Sequence, residues 1–135
     1  MTVMPQDNLP ASRLLAGRVR SYLQRIAVRG QPITYKALCD AMELEPPNRI
    51  HRITEALEWL MREDAANEHP LIAALVISRA RGGLPAPGFF DLAKELGRFD
   101  GDPSGPDAAA SHGAMIATTI AFWSMADITE SDAAA

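Results

Sequence analysis

Residues 33–61, which read ITYKALCDAMELEPPNRIHRITEALEWLM, predict two helices joined by a tight turn. Thr34 can cap the first, short helix with its hydroxyl oxygen. Two prolines then break the chain, because neither can continue a preceding helix. The second helix is longer, and its apolar residues share one side: Ile50, Ile53, Leu57, Leu60 and Met61. A short helix, a tight turn and a longer helix form the helix-turn-helix arrangement.

The chain extends this unit in both directions. On the N-terminal side, apolar residues at steps of three and four predict a helix over residues 12–29, with Ser12 as its N-cap and Gly30 as its stop. On the C-terminal side, residues 71–78 predict a strand, and the basic RARGG loop at residues 79–83 predicts a wing. The apolar residues of the N-terminal helix are Leu14, Leu15, Val19, Tyr22, Leu23 and Ile26.

The last third of the sequence predicts two more helices. Residues 89–99 favour a helix with Gly97 as its C-terminal signal, and an acidic, proline-containing loop follows. A final helix from Asp107 to about Met125 is expected to bury Ile116, Ile120 and either Phe122 or Trp123. We therefore expect a mainly α fold with a small β element, as a winged helix-turn-helix with additional N- and C-terminal helices. This single domain of residues 12–125 is expected between a flexible N-terminus, 1–11, and a flexible tail, 126–135.

The helix and strand patterns also predict which side chains form the core. We expect one cluster that contains Leu38, Ile53, Leu57, Leu60, Leu75, Val76 and Phe89. Cys39 falls inside the short helix beside Leu38, with no cationic neighbour in the sequence. It is therefore interpreted as a small buried hydrophobic residue and not as a nucleophile.

Composition limits the class of protein. A single cysteine excludes an intramolecular disulfide and a Cys-cluster zinc site, and no apolar run is long enough to span a membrane. We expect a soluble, cytoplasmic protein. The net charge of −4 argues against nucleic-acid binding, but residues 1–62 carry nine Lys or Arg against six Asp or Glu, whereas residues 63–135 carry four against eleven. A basic face is therefore expected in the first half.

The segments ITYKALCDAMEL, NRIHRITEAL and HPLIAALVISRARGGLP together resemble the DNA-binding domain of alkylguanine-DNA alkyltransferases and alkyltransferase-like proteins. The resemblance covers roughly residues 30–88. Its matching positions are Thr34 and Tyr35 at the helix start, Ile53, Ala56 and Leu57 in the recognition helix, and His69 and Pro70 in place of that family's Asn-Pro. The ALVISR…GLPAPGFF signature also resembles bacterial proteins for which the likeness implies no activity.

Departures from the alkyltransferase pattern decide the chemistry that the resemblance implies. The family's arginine, which replaces the flipped nucleotide in the base stack, falls at His51, with Arg52 beside it and Arg49 shortly before. The family's reactive cysteine falls near Ala73 or Ala74. Alkyl transfer needs a thiolate, which alanine cannot supply, so the resemblance implies DNA binding without that reaction.

The first hypothesis from the sequence is therefore a non-enzymatic winged-helix protein that binds DNA in a regulatory role. If the RARGG loop continues a strand, Arg79 and Arg81 point to the same side and can contact phosphates. The alternative interpretation of this loop is a solubilising turn. The expected DNA-binding residues are Thr34, Tyr35, Lys36, Arg49, His51, Arg52, Arg79 and Arg81.

Other functions stay open at this level. The alternative hypothesis is a winged-helix protein–protein interaction module that does not bind DNA, and a third is an enzyme without a recognisable motif. No catalytic residue, cofactor or metal is predicted: His51, His69 and His112 lack ligand spacing, and the adjacent Ser111 and His112 lack an oxyanion motif. The arginines of residues 12–29 either bind phosphate or form a solvated face.

Overall fold

The computed structural model describes the backbone of residues 11–103 and 105–134, and it describes side chains in these ranges except those of Ser12 and of residues 126–134. The predicted flexible N-terminus therefore lies outside the described residues, apart from Ala11. The described chain is mainly helical, with one small two-stranded parallel sheet. Its helices are α1 (Ala11–Arg29), α2 (Tyr35–Ala41), α3 (Arg49–Ala66), α4 (Pro87–Glu95) and α5 (Pro106–Ala134), and its strands are β1 (Ile33–Thr34) and β2 (Val76–Ile77).

Helix α1 follows the predicted pattern with two exceptions. Its buried apolar residues pack mainly against α3 and α5, and it ends before Gly30, whose φ of +77° favours glycine. Leu14, by contrast, is 37% exposed and Tyr22 is only half-buried, because both lie at the margin of the buried face. The buried residues of α1 are Leu15, Ala16, Val19, Leu23, Ile26 and Ala27.

The predicted cap of α2 is confirmed. The Thr34 hydroxyl accepts a hydrogen bond from the Ala37 amide at 3.1 Å. A turn containing Asn48 in the left-handed region, with φ of +64°, then leads into α3. Ile50, which the sequence pattern placed on the apolar side of this helix, is 52% exposed, because the first turn of α3 extends past the core into an open groove.

The predicted strand over residues 71–78 is mostly wrong. Its first half forms the 3₁₀ helix Ile72–Leu75, and only Val76 and Ile77 form strand β2, parallel to β1. The buried carboxylate of Asp64 accepts a hydrogen bond from the Ile72 amide at 3.0 Å. Asp64, a residue of α3, thus provides the acceptor for an amide that would donate to a neighbouring strand in a β-sheet.

Helices α4 and α5 complete the core. Phe89 and Phe90 of α4 are buried as predicted, and Gly97 follows α4 with φ of +77°. Helix α5 is longer than predicted, since it begins at Pro106 and continues past Met125 to Ala134. It buries Trp123, whereas Phe122 is 36% exposed and Ile116 and Ile120 are half-buried. Its other buried residues are Ala108, His112 and Thr119.

All seven residues predicted for the core are buried in one cluster. Cys39 is also buried and has a free thiol, as predicted. Among the described helices, none is both long and apolar enough to cross a membrane.

Candidate functional site

A groove of about 550 Å³ lies where the start of α2, the first turn of α3 and the chain after β2 meet. We call it the α2–α3 groove. The segment after β2 reaches it because Ser78 pairs with Leu84 in an antiparallel bridge, which folds residues 79–83 into a short turn. The groove is lined by Thr34, Tyr35, Lys36, Ala37, Asp40, Ile50, Ile77, Ser78 and Arg79.

Two exposed cations lie at this groove. The Lys36 side chain is 84% exposed, and its ammonium group is 3.5 Å from the carboxylate of Asp40, one helical turn along α2. The Arg79 side chain is exposed and has no hydrogen-bond or ion-pair partner among the described residues. Both side chains are free to bind an anion, because an exposed pair such as Lys36–Asp40 gains little in water.

Arg49, one of the expected DNA-binding residues, is paired within the protein. Its guanidinium group forms an ion pair with Asp40 and lowers the pKa of that carboxyl group. The same guanidinium lies within hydrogen-bonding reach of the Cys39 thiol, whose pKa burial nevertheless raises. A cation therefore does lie near Cys39, contrary to what the sequence neighbours indicated, but burial keeps the thiol protonated and unreactive.

The other two expected residues of α3 lie on its exposed first turn. Arg52 donates a hydrogen bond to the Glu45 carbonyl at 2.6 Å, which connects α3 to the turn that precedes it. His51 is exposed. Arg52 thus uses one N–H donor within the local turn, and the other N–H donors of its exposed guanidinium group remain available.

The prediction that Arg79 and Arg81 point to the same side is wrong. Residues Arg79–Arg81 form a 3₁₀ turn, in which side chains two positions apart diverge by about 120°. Arg81 is half-buried, and its Nε donates a hydrogen bond to the Pro85 carbonyl at 2.9 Å. Arg81 therefore stabilises the turn, and Arg79 alone is presented to solvent.

Thr34 and Tyr35 support the groove through their own hydrogen bonds. The Thr34 hydroxyl caps α2, and the Tyr35 hydroxyl accepts a hydrogen bond from the Ala86 amide at 2.9 Å. Tyr35 is buried, which raises the pKa of its hydroxyl. This contact connects the start of α2 to the segment after the 79–83 turn, so it fixes the two sides of the groove relative to each other.

Sequence reasoning missed five residues that line this groove: Ala37, Asp40, Ile50, Ile77 and Ser78. Asp40 had one local signal, its position four residues after Lys36. Its stronger pairing with Arg49 crosses the turn between α2 and α3, so no spacing in the sequence indicates it.

Four of the five arginines of α1 contact other groups of the described chain. Arg18 donates to the Met42 carbonyl at 2.8 Å. Three others stack with Cζ 4.7–5.5 Å from aromatic ring centroids: Arg13 over Trp59, Arg20 over Trp123 and Arg25 over Tyr22.

Arg20 also forms the main buried ion pair of the described chain. Its Nη2 is 2.9 Å from Asp64 Oδ1, and the Asp64 side chain is only 1% exposed. Burial raises the pKa of Asp64 more than the amide of Ile72 and the charge of Arg20 lower it. We call this meeting of Arg20, Asp64 and Trp123 the α1–α3–α5 junction.

The histidines do not form a metal centre. Among the described residues, no group of three or more His, Cys, Asp or Glu side chains could hold a metal ion. His112 is buried, its Nε2 is 2.9 Å from the Ala74 carbonyl oxygen, and burial lowers its pKa. His69 stacks with Phe122, with ring centroids 4.8 Å apart. Both rings therefore have packing roles.

Comparison with known proteins yields no match, whether to a protein-family model, a curated protein or a solved structure. The winged-helix and alkyltransferase-like interpretations therefore stay predictions from the sequence.

Proposed function

We propose that this protein is a non-enzymatic DNA-binding protein in which α2 and α3 act as a helix-turn-helix and the 79–83 turn acts as a short wing. One observation carries the proposal: Ile50, from the exposed first turn of α3, lines the same groove as the exposed cations Lys36 and Arg79. A recognition helix flanked by phosphate-binding side chains has this arrangement.

The charges at the groove predict weak, salt-sensitive binding. Asp40 opposes DNA, but Lys36 and Arg49 already offset its charge. Lys36 and Arg79 are the two cations available for phosphate, so the logarithm of affinity should fall with the logarithm of salt concentration with a slope of roughly −2. In this proposal Arg52 and His51, which are exposed on the first turn of α3 but do not line the groove, approach base edges.

The test is a titration of the whole protein with a fluorescently labelled DNA duplex at low and at physiological salt. We expect measurable binding at low salt that weakens with the slope given above. Absence of binding at low salt, where phosphate contacts are strongest, would refute the proposal.

A second candidate function is supported by Ile50. A large aliphatic side chain that is 52% exposed in the groove suits an apolar side chain of a partner protein. If DNA does not bind, this groove is the surface on which a protein partner is expected. Binding by that partner should weaken on Ile50→Asp and depend little on salt, because burial of apolar area drives it.

A further inference from the structure

A second groove, separate from the α2–α3 groove, lies between α5 and the segment that follows α3. Its volume is about 300 Å³, at the lower end of the range for small-molecule sites. We call it the α5 groove. None of its lining residues belongs to α2, α3 or the 79–83 turn.

The α5 groove contains an arginine whose charge is not offset by a nearby carboxylate. Arg98 is half-buried, and its guanidinium makes one long hydrogen bond, 3.5 Å from Nη2 to the Asp64 carbonyl oxygen. The nearby Asp64 carboxylate is already occupied by Arg20 and by the Ile72 amide. Among the described residues, Arg98 forms no ion pair, so most of its five N–H donors are available.

Two hydroxyl groups line the same groove from α5. Ser111 and Thr118 are seven residues apart, which places them two turns apart on one face of the helix. Within the described chain neither side chain has a hydrogen-bond partner, whereas the hydroxyl of Thr119 donates to the Leu71 carbonyl at 3.0 Å. Ser111 and Thr118 can therefore donate to a bound oxygen.

The remaining wall of the α5 groove is apolar. Leu71 is buried at its base, and Met115 is half-buried beside it. Pro70 and Ala114 complete this wall. One guanidinium with hydroxyl donors beside an aliphatic surface fits a small molecule that has an anionic end and an apolar body.

We propose that the α5 groove binds a small organic carboxylate. Its carboxylate group pairs with the guanidinium of Arg98, whose planar fork matches two oxygens. The same carboxylate accepts a hydrogen bond from one of the two hydroxyls, Ser111 or Thr118, because residues two turns apart lie about 10 Å apart along the helix and cannot both reach it. Its aliphatic body packs on Leu71 and Met115. A single cation beside an apolar wall favours a monocarboxylate over inorganic phosphate, which has a higher charge and no apolar surface. This site is independent of the DNA-binding proposal.

The proposal is tested with uniformly ¹⁵N-labelled whole protein and three probes: sodium butyrate, butyramide and inorganic phosphate. Butyramide has the shape of butyrate without its charge. We expect saturable amide shifts with butyrate, centred on Arg98, Ser111 and Thr118, and binding of butyramide and phosphate at least about tenfold weaker.

Matched variants locate the site. Arg98→Gln should weaken butyrate binding at least about tenfold, whereas Arg62→Gln, which removes an equal charge from an exposed position of α3, should not change it. Ser111→Ala and Thr118→Val each remove one hydroxyl, and the variant that loses the contacting hydroxyl should weaken binding by a few-fold, on the order of one hydrogen bond, while the other should not.

Several results would overturn the proposal. These are shifts that never saturate, equal binding of butyrate and butyramide, preference for phosphate, or equal effects of Arg98→Gln and Arg62→Gln. Thermal unfolding checks that the variants fold, and the comparison of butyrate with butyramide decides the question on the unmodified protein if Arg98→Gln does not.

Discussion

The α2–α3 groove and the α1–α3–α5 junction contain the same kinds of charged group but differ in their exposure to water. At the groove, Asp40 pairs with Lys36 and Arg49, and its side chain is 54% exposed. At the junction, Asp64 pairs with Arg20 while its side chain is 1% exposed. Water screens the first cluster and is excluded from the second.

This difference separates a surface for binding from a structural connection. Exposed ion pairs are weak, so Lys36 can exchange Asp40 for a phosphate at little cost. A buried carboxylate that loses its partner leaves an uncompensated charge, which is strongly unfavourable. Four predictions test this contrast.

The largest effect is expected at the junction. Asp64→Ala leaves the Ile72 amide without its acceptor and leaves the guanidinium of Arg20 with only the carboxylate of Glu63, whose side chain is 42% exposed. It should lower the free energy of unfolding by about 3–5 kcal/mol. Urea denaturation monitored by circular dichroism measures this loss. The double variant Arg20→Met/Asp64→Leu removes both charges and should recover part of it. A single variant as stable as the unmodified protein would show that the junction does not stabilise the fold.

The next effect concerns the apolar core beside these charges. Leu57 is 4% exposed, so Leu57→Ala should reduce the free energy of unfolding by about 2–5 kcal/mol through lost burial and the cavity left behind. Ile50→Ala on the same helix is the matched control, because its side chain is 52% exposed and its loss should be within about 0.5 kcal/mol. Equal losses would mean that the faces of α3 are assigned wrongly.

A smaller effect is expected from acid. Burial lowers the pKa of His112 in the folded protein, so below its unfolded pKa the unfolded chain binds the proton more readily. Its contribution to stability is therefore present above the unfolded pKa, about 6.5, and is lost as pH falls from there through the folded pKa. One proton gives a slope of at most about 1.4 kcal/mol per pH unit.

His112→Gln provides the comparison for this prediction. The glutamine amide can donate to the Ala74 carbonyl but does not titrate in this range. Denaturation at several pH values between about 8 and 4 should show a steeper loss in the unmodified protein than in the variant, near and below the ordinary histidine pKa. Parallel curves would remove His112 as the cause.

The smallest effect is expected at the groove itself. Arg79→Ala and Lys36→Ala should each reduce the salt slope of DNA binding by about one contact without a change in folding. Arg81→Ala should leave the slope unchanged, because Arg81 donates to the Pro85 carbonyl within the turn. If Arg81→Ala reduced the magnitude of the salt slope more than Arg79→Ala did, Arg81 and not Arg79 would be the arginine that contacts phosphate.

Local signals predicted much of this fold. The spacing of Val19, Leu23 and Ile26 placed α1, and Thr34 marked the start of α2 through a hydrogen bond within its own turn. All seven predicted core residues are buried. On the helices, apolar spacing identified most of the inward face, although it also placed the exposed Ile50 there.

Features that depend on distant residues were not predicted. The segment Leu71–Leu75 was predicted to be part of a strand. Its Ile72 amide instead donates to the carboxylate of Asp64, so this amide cannot pair with a neighbouring strand. At the groove, Thr34, Tyr35, Lys36 and Arg79 do line one surface as the sequence indicated. The pairing of Arg49 with Asp40 depends on the path of the turn between α2 and α3, which sequence spacing does not specify.

The surroundings of the two tryptophans give the protein two built-in optical reporters. Trp123 is 5% exposed, and its indole N–H donates to the Pro70 carbonyl at 2.9 Å, whereas Trp59 is half-buried on α3. In a Trp59→Phe protein, the fluorescence comes from Trp123 alone and should shift to longer wavelength when α5 separates from α1. The emission of Trp59 in a Trp123→Phe protein should instead report the unfolding of α3. The separation of α5 from α1 and the unfolding of α3 can therefore be timed separately.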